Sequence, residues 1–238
     1  MGSRRRRSLG QHYLTDASVI DLMVRTAGIT KADRVLEVGT GRGVVTRELC
    51  KAAERVEAFE IDRENYLTTK RVGLDRLTLH LEDAFSAPRD FDVLVSSLPY
   101  SESSNFVEWL SSLRYHRAVV LLQRDFAEKL LAVPGDEQYK AISVISQISS
   151  SVRVIRYVGR ESFDPPPHVS SALVLIVPRR ELQSEQIGLI KMLFSQRKKR
   201  LASAVKKLSL ELPGIRPPML SLRVEWLTPG EIENLLTR

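Results

Sequence analysis

The stretch Val35–Gly43 reads VLEVGTGRG and joins a short apolar strand to a glycine-rich turn. Its aliphatic, β-branched start is typical of a buried strand. Gly39, Gly41 and Gly43 permit a sharp turn and the close approach of a ligand, because glycine has no Cβ. The helix predicted to follow would present unpaired N–H groups and the positive end of its dipole at this turn. The stretch therefore predicts a nucleotide-type site at the carboxyl edge of a sheet.

Strand and helix patterns alternate around this turn. The predicted parallel strands lie at 34–38, 56–60, 77–81, 91–95 and 118–122. Asp16 or Thr15 can cap a helix that precedes the first of them. Two more strands, at 152–158 and 172–177, are separated by a proline-rich link, and we expect them to form an antiparallel pair at one edge. This spacing predicts an α/β fold with a Rossmann-like, mainly parallel, doubly wound sheet.

The pattern changes after Pro178, where short helices replace the strands. These helices are predicted at 187–194, 201–208 and 229–236, on both sides of a proline-rich loop. We therefore divide the chain into a basic arm at 1–8, an α/β domain at 9–178 and a small helical domain at 179–238.

Composition and charge limit the classes of protein to which this chain can belong. The net charge of +7 indicates a polyanionic partner. Cys50 is the only cysteine, so no internal disulfide can form. No apolar run is long enough for a membrane helix, and Arg4–Arg7 lacks the apolar segment of a secretory signal. We therefore expect a cytoplasmic protein, and the scattered histidines predict no metal site.

Acidic residues lie at sequence distances from the glycine turn that are typical of nucleotide-binding sites. Glu60 follows the second strand roughly 20 residues after the glycines, the spacing at which a carboxylate reaches ribose hydroxyls. Ile61 offers an apolar face for adenine, and Asp83, after the third strand, can accept a hydrogen bond from its amine. The third glycine comes one residue too early for a dinucleotide fingerprint. With Glu37 ahead of it, the E-x-G-x-G-x-G pattern instead resembles the S-adenosylmethionine site of Rossmann-like methyltransferases.

The segment Ser97-Leu98-Pro99-Tyr100 follows the fourth strand and resembles the (Asn/Asp)-x-Pro-Tyr motif of methyltransferases that act on a base nitrogen. The lone pair of an adenine N6 amine is delocalised into the ring, so this amine is a poor nucleophile. The Ser97 side chain and the Leu98 carbonyl can accept its two hydrogens and so direct its lone pair. Pro99 fixes the turn, and Tyr100 would stack on an extruded base. The alternative is a proline turn beside a core tyrosine.

Further motifs extend the resemblance over nearly the whole chain. They are GQHYL (10–14), FEID (59–62), EDAF (82–85), LLQRDFAEKL (121–130), FDPPPHVSSA (163–172) and FSQRKKRLASAVKKL (194–208). Together they resemble the ribosomal RNA adenine dimethyltransferases, which modify two adjacent adenosines near the 3′ end of small-subunit rRNA. The resemblance implies S-adenosylmethionine-dependent N6 methylation during ribosome assembly. It also implies that the partner is the small-subunit rRNA of the pre-small ribosomal subunit. We expect a monomer that uses neither metal nor membrane.

The resemblance assigns roles to the matching positions. Cofactor binding is assigned to Gln11, His12, Leu14, Glu37, Gly39, Gly41, Glu60, Ile61, Asp83, Ala84 and Ser97. The catalytic set that holds the target base is Ser97, Leu98, Pro99, Tyr100 and Phe163, with Phe163 closing the second face of the base. The family usually has Asn where this chain has Ser97. Because a serine hydroxyl is shorter and the weaker acceptor, the number of methyl groups added stays open.

Basic residues concentrate between 196 and 207, and no acid occurs between Glu185 and Glu211. These residues are Arg197, Lys198, Lys199, Arg200, Lys206 and Lys207. A helix with such a face can follow RNA phosphates, so we predict that it contacts rRNA.

Two other functions stay open from the sequence alone. A non-catalytic rRNA-binding assembly factor could retain the cofactor fold, and Ser97 is the feature that favours it. A related enzyme could instead methylate adenine in large-subunit rRNA.

Overall fold

The computed structural model describes residues 12–86, 89–210, 212 and 214–236, so the predicted arm at 1–8 and Gln11 lie outside the described residues. The chain forms two compact units. The first contains the described residues up to Phe106 together with Leu113–Ala127 and Arg153–Pro178. The second contains Val107–Ser112, Glu128–Val152 and the described residues from Arg179 onward. The second unit thus joins the predicted helical tail to two segments that the sequence reading placed in the α/β domain.

Strands and helices alternate through most of the described chain. The strands are β1 (Tyr13–Leu14), β2 (Arg34–Val38), β3 (Arg55–Phe59), β4 (Leu77–His80), β5 (Val93–Ser97), β6 (Arg117–Gln123), β7 (Ser150–Val158), β8 (Phe163–Asp164) and β9 (Ser171–Pro178). The helices are α1 (Ala17–Ala27), α2 (Val44–Ala52), α3 (Arg63–Arg71), α4 (Ser103–Leu110), α5 (Arg124–Leu131), α6 (Ala141–Ser149), α7 (Ser184–Phe194), α8 (Leu201–Leu208) and α9 (Pro229–Leu236).

A seven-stranded sheet in the order β4-β3-β2-β5-β6-β9-β7 forms the framework of the first unit. Strands β2 to β6 pair in parallel, and β9 runs antiparallel to β6. The α/β class and the mainly parallel sheet are confirmed. Strand β5, however, runs from Val93 to Ser97 rather than over 91–95. Phe91 packs against the Tyr115 ring at 5.9 Å before the strand begins, and Ser97 extends the ladder opposite Leu121.

A two-stranded sheet of β1 and β8 was not predicted. It pairs Tyr13 with Asp164 and Leu14 with Phe163 in antiparallel register. The Arg42 guanidinium lies 4.3 Å from the centre of the Tyr13 ring and forms a 2.8 Å ion pair with Asp164. These contacts hold the N-terminal segment of the described chain beside the glycine turn.

Helix α1 begins at the predicted cap, Asp16. Its carboxylate accepts hydrogen bonds from the Ser18 amide at 2.9 Å and from the Ser162 hydroxyl at 2.9 Å. The apolar residues Val19 and Met23 of this helix are buried in the core of the first unit. Asp16 therefore both caps a helix and fastens the turn that leads into β8.

The second unit has its own apolar core, formed by residues of α6 to α9 and the segments between them. Tyr139 is completely buried at its centre. Its hydroxyl donates to the Leu227 carbonyl at 3.0 Å, and its ring meets Phe194 edge-on at 5.6 Å. Within the described residues, no helix is long and apolar enough to cross a membrane.

Replacing Asp16 by alanine should lower the free energy of unfolding by about 1–2 kcal/mol, because it removes the cap of α1 and an acceptor for Ser162. Asp16→Asn should cost less, since asparagine is also a good cap. Chemical denaturation measures the effect. Asp21→Ala is the matched control, because Asp21 forms only an exposed ion pair with Arg25 on the same helix. Equal losses in both alanine variants would contradict the assigned role.

Candidate active site

A cavity of about 440 Å³ lies outside the carboxyl ends of β2, β3 and β5 in the first unit. This is the edge at which open α/β sheets bind their ligands. Most of the predicted site residues line it. They are His12, Gly39, Gly41, Glu60, Ile61, Asp83, Ala84, Ser97, Leu98, Pro99, Tyr100 and Phe163.

Two predicted cofactor residues, Leu14 and Glu37, do not line the cavity. Leu14 is 5% exposed, because its side chain packs among the apolar residues of the core of the first unit. Glu37 is 1% exposed, buried within β2 just before the glycine turn. Both side chains are therefore buried in the interior of the first unit and do not face the cavity.

The glycine turn has the backbone conformation that its composition predicts. Gly39 has φ +79° and Gly41 has φ +53°, both in the left-handed region that favours glycine. A Cβ at Gly39 would meet no atom within 4 Å, whereas one at Gly41 would lie 3.2 Å from the Tyr13 ring. The Gly39 backbone is thus open to a ligand, while Gly41 leaves room for Tyr13.

Glu60 fastens this turn and also faces the cavity. One carboxylate oxygen accepts from the Gly41 amide at 2.9 Å, and the other accepts from the Asp62 amide at 2.8 Å. Burial raises the pKa of Glu60, and these amide hydrogen bonds oppose that rise. A carboxylate has about four acceptor positions. Glu60 can therefore hold the turn and still accept hydrogen bonds from a diol.

Residues suited to a purine follow along the next strand ends. The Ile61 side chain is 61% exposed although it lines the cavity. Asp83 uses one oxygen to accept from the Phe85 amide at 2.8 Å, which caps the turn Ala84–Ser86. Its second oxygen makes no hydrogen bond within the described part of the chain. An apolar face and a carboxylate acceptor are what an adenine ring with an exocyclic amine requires.

The segment after β5 forms another wall of the cavity. The Ser96 hydroxyl donates to the Val38 carbonyl at 2.5 Å and ties the end of β5 to the end of β2. The Tyr100 hydroxyl lies 2.6 Å from that of Ser171, and burial raises the pKa of Tyr100, so the phenol stays protonated. Phe163 is 4% exposed and lines the same cavity. The site thus combines two aromatic rings with the Ser97 side chain.

These residues fit an adenosylated cofactor. The open backbone at Gly39 accommodates a group that no Cβ obstructs. Glu60 supplies acceptors for ribose hydroxyls, Asp83 supplies one for an amine, and Ile61 supplies an apolar contact. The donor and acceptor set therefore agrees with S-adenosylmethionine.

Sequence reasoning missed several residues of the cavity wall. These are Tyr13, Val38, Phe59, Asn65, Glu82, Phe85, Ser101, Glu102 and Leu121. The Tyr13 hydroxyl donates to the Asn65 side-chain oxygen at 3.0 Å, which links β1 to the start of α3. The position of Tyr13 inside the GQHYL motif was an available signal. The wall position of Asn65, by contrast, depends on a contact between segments 52 residues apart.

The basic stretch at 196–207 is only partly helical. Helix α7 ends at Phe194 and α8 begins at Leu201, so Arg197–Arg200 lie in the connection between them. Arg197 and Lys198 contact the buried carboxylate of Glu225 at 3.2 and 3.1 Å. The remaining predicted RNA-contacting residues, Lys199, Arg200, Lys206 and Lys207, are exposed. The helix predicted at 201–208 is confirmed, and the basic stretch at 196–207 is divided between it and the connection before it. The local charge count could not include Glu225, which pairs with two of these cations only in the folded chain.

The family described as "Ribosomal RNA adenine dimethylase" matches residues 2–212 of this chain. The chain belongs to this family. A probable ribosomal RNA small subunit methyltransferase A of Pyrococcus abyssi (strain GE5 / Orsay) is 34% identical over 247 residues, which cover 98% of this chain and 91% of the relative. A ribosomal RNA small subunit methyltransferase, mitochondrial, of Arabidopsis thaliana is 33% identical over 223 residues, 88% of this chain and 59% of that protein. The resemblance drawn from the motifs is confirmed.

Two solved structures are also similar to this member of the dimethylase family. A dimethyladenosine transferase from Plasmodium falciparum superposes with a TM-score of 0.81 at 27% identity, covering 94% of this chain and 96% of that one. The 23S rRNA methyltransferase ErmE has a TM-score of 0.68 at 22% identity and covers 94% of this chain and 98% of its own. The second likeness shows the shared fold alone.

The buried carboxyl group of Glu37 makes the stability of the fold depend on pH. Its Oε2 atom and the hydroxyl of nearby Thr46 have no hydrogen-bond partner among the described residues. Burial raises the pKa of Glu37 to about 8; the nearby Thr46 hydroxyl opposes that rise, and the negative charge of Glu60 adds to it. Between the ordinary pKa of 4.5 and about 8, the unfolded chain releases a proton that the folded chain keeps. Stability from this group is therefore complete below pH 4.5 and is lost as the pH rises to about 8.

Glu37→Gln should abolish this loss, because glutamine does not titrate. Denaturant unfolding at pH 5 and pH 8.5 should show a decrease in wild-type stability that is smaller in the variant by a few kcal/mol. Glu48→Gln is the control, since Glu48 is partly exposed and paired with Lys51. Parallel pH curves for Glu37→Gln and the wild type would exclude a buried, titrating Glu37.

Proposed function

We propose that this chain transfers methyl groups from S-adenosylmethionine to the N6 amino group of adenine in small-subunit ribosomal RNA. The observation that carries the proposal is a single cavity. It joins the open glycine turn and the carboxylates of Glu60 and Asp83 to the Ser97–Tyr100 segment and Phe163. The residues proposed to bind the cofactor and those proposed to bind the target base therefore line the same cavity of the first unit.

Gly39, Glu60, Ile61 and Asp83 would hold S-adenosylmethionine. When bound, this cofactor supplies an electrophilic methyl group on a sulfonium. The protein orients the amine that receives it: the Ser97 hydroxyl oxygen and the Leu98 carbonyl accept the two amino hydrogens. Accepting both hydrogens draws the nitrogen toward tetrahedral geometry and makes its lone pair available. Alignment of this kind supplies much of the rate acceleration in reactions that need no strong base.

Aromatic side chains compensate for removing the base from the RNA stack. Unstacking costs a few kcal/mol. Stacking on a ring such as Tyr100 returns about 1–3 kcal/mol per base. The hydrogen bond between Tyr100 and Ser171 fixes the ring before substrate arrives, so little side-chain entropy is lost on binding. Phe163 is held by β8 and contributes a second apolar surface to the same cavity.

The comparisons favour this function over the two alternatives. Relatives that span nearly the whole chain carry the name of small-subunit rRNA methyltransferases, which favours neither a non-catalytic factor nor a large-subunit enzyme. The proposal also includes a monomeric state and action in the cytoplasm. Gel filtration with light scattering and subcellular fractionation test these two points.

Incubation with labelled S-adenosylmethionine and small subunits that lack the modification tests the function. Nucleosides from the digested rRNA are then separated by mass spectrometry. We expect the label in N6-methylated adenosine, and none when large subunits replace small subunits. Normal cofactor binding in calorimetry without label in adenosine would favour the assembly-factor alternative.

Substitutions at Ser97 test the geometry of the target amine. Ser97→Ala should lower kcat about 10-fold or more, because a buried amine hydrogen loses its acceptor. Ser97→Asn should keep or raise kcat, since the carboxamide oxygen reaches farther. Ser104→Ala is the control, as Ser104 is exposed on α4 and absent from the described cavity wall. A large loss of turnover in a folded Ser97→Asn protein would contradict this geometry.

A further inference from the structure

Trp226, in the second unit, has an indole ring that is 55% exposed, although the residues on either side of Glu225–Trp226 are fully buried. Val224 and Leu227 have no exposed surface. The Trp226 amide donates to the Arg223 carbonyl at 2.9 Å, and the Leu227 carbonyl accepts from the buried Tyr139 hydroxyl. The backbone that carries this ring is therefore anchored on both sides, and the ring itself faces solvent.

Gly135 supports one side of the indole. It has φ +92°, and a Cβ there would lie 3.0 Å from the Trp226 ring. Its amide donates to the Glu225 carbonyl at 2.8 Å. The ring thus rests against backbone that only glycine allows so close. A ring held in this way loses little freedom when a flat partner stacks on its open side.

Positive side chains gather at Glu225, the residue that directly precedes Trp226 in the chain. The buried Glu225 carboxylate draws in Arg197 and Lys198, with Arg223 at 3.9 Å. The pKa of Lys140 is lowered, first by burial and then by the positive charges of Arg197, Lys198 and Lys129, against the opposing charge of Glu137. These cations therefore lie close enough to affect one another. We name Lys129, Lys140, Arg197, Lys198, Arg223 and Trp226 the Trp226 patch.

We infer that the Trp226 patch, whose residues do not line the described cavity, binds an unpaired nucleotide of the RNA substrate. The base stacks on the open face of Trp226, and Lys140, Arg197 and Lys198 contact the adjoining phosphates. This inference rests on the proposed function, which makes RNA the macromolecular substrate. Every base has a flat π-face, so an aromatic ring beside cations binds single strands with little sequence preference.

Tryptophan fluorescence tests the stacking directly. The chain has two tryptophans, so Trp109→Phe leaves Trp226 as the only emitter. Single-stranded oligonucleotides of RNA should quench this emission saturably, and a fully paired RNA duplex should not. Quenching by both RNAs alike, or by neither, would overturn the inference.

Substitutions test whether the Trp226 ring stacks on RNA or only stabilises the fold. Trp226→Ala should weaken binding of single-stranded RNA about 5- to 100-fold, and Trp226→Phe should restore most of it. Lys198→Gln should reduce the slope of log K against log salt by about one. Met192→Ala and Lys51→Gln are the controls, because both side chains are exposed and lie outside the patch. Equal effects in variants and controls would overturn the inference.

Failure of this inference can be distinguished from failure of the proposed function by methylation assays. In methylation assays Trp226→Ala should raise KM for rRNA with kcat and cofactor affinity unchanged, whereas Ser97→Ala should lower kcat and retain RNA affinity. Normal RNA affinity in Trp226→Ala, beside normal methylation by the wild type, would overturn only this inference. Val133 is also exposed near Gly135, so a protein is the competing occupant. Weaker binding to assembled subunits but not to naked rRNA would indicate that protein and overturn the RNA contact.

Discussion

The hydrogen bond from the Gly41 amide to the Glu60 carboxylate holds the active site together. It connects the turn after β2 to the end of β3, and the Gly39 amide reinforces it by donating to the Phe59 carbonyl at 2.8 Å. Burial disfavours the charged carboxylate of Glu60, and its amide donors at Gly41 and Asp62 stabilise that charged form. The same oxygens serve the proposed cofactor, and fold and function therefore depend on one side chain.

The sheet order brings the two halves of the site together. Strands β2 and β5 are neighbours although almost 60 residues separate them, and the Ser96 hydroxyl bonded to Val38 locks their ends in register. The glycine turn leaves one strand and the Ser97–Tyr100 segment leaves the other. Parallel pairing makes both segments emerge at the same edge. A ladder of main-chain hydrogen bonds therefore fixes where the two parts of the proposed site begin.

Sequence periodicity predicted the sheet, whereas the glycine motif predicted the turn and the family resemblance predicted most of the site residues that line the cavity. Periodicity could not predict β1 and β8, since strands of two residues show no periodicity. The shift of β5 onto Ser96 and Ser97 arises from pairing with β2 and β6, which overrides the weak strand propensity of serine. For a similar reason, charge counting between 196 and 200 could not predict the ion pairs that these residues form. Glu225 reaches Arg197 only through the tertiary fold.

The serine at position 97 affects the two methyl transfers of the proposed reaction differently. An unmodified amine has two hydrogens to be accepted, so the first transfer uses both the side chain at 97 and the Leu98 carbonyl. A monomethylated amine has one hydrogen, and the backbone carbonyl can accept it whatever side chain precedes it. Ser97 ends β5 opposite Leu121, so its backbone is fixed by pairing, and the difference from asparagine lies in the shorter and weaker acceptor of its side chain. Under the proposed mechanism we therefore expect the shorter side chain to weaken the first transfer and to leave more space for the methyl group already present in the second.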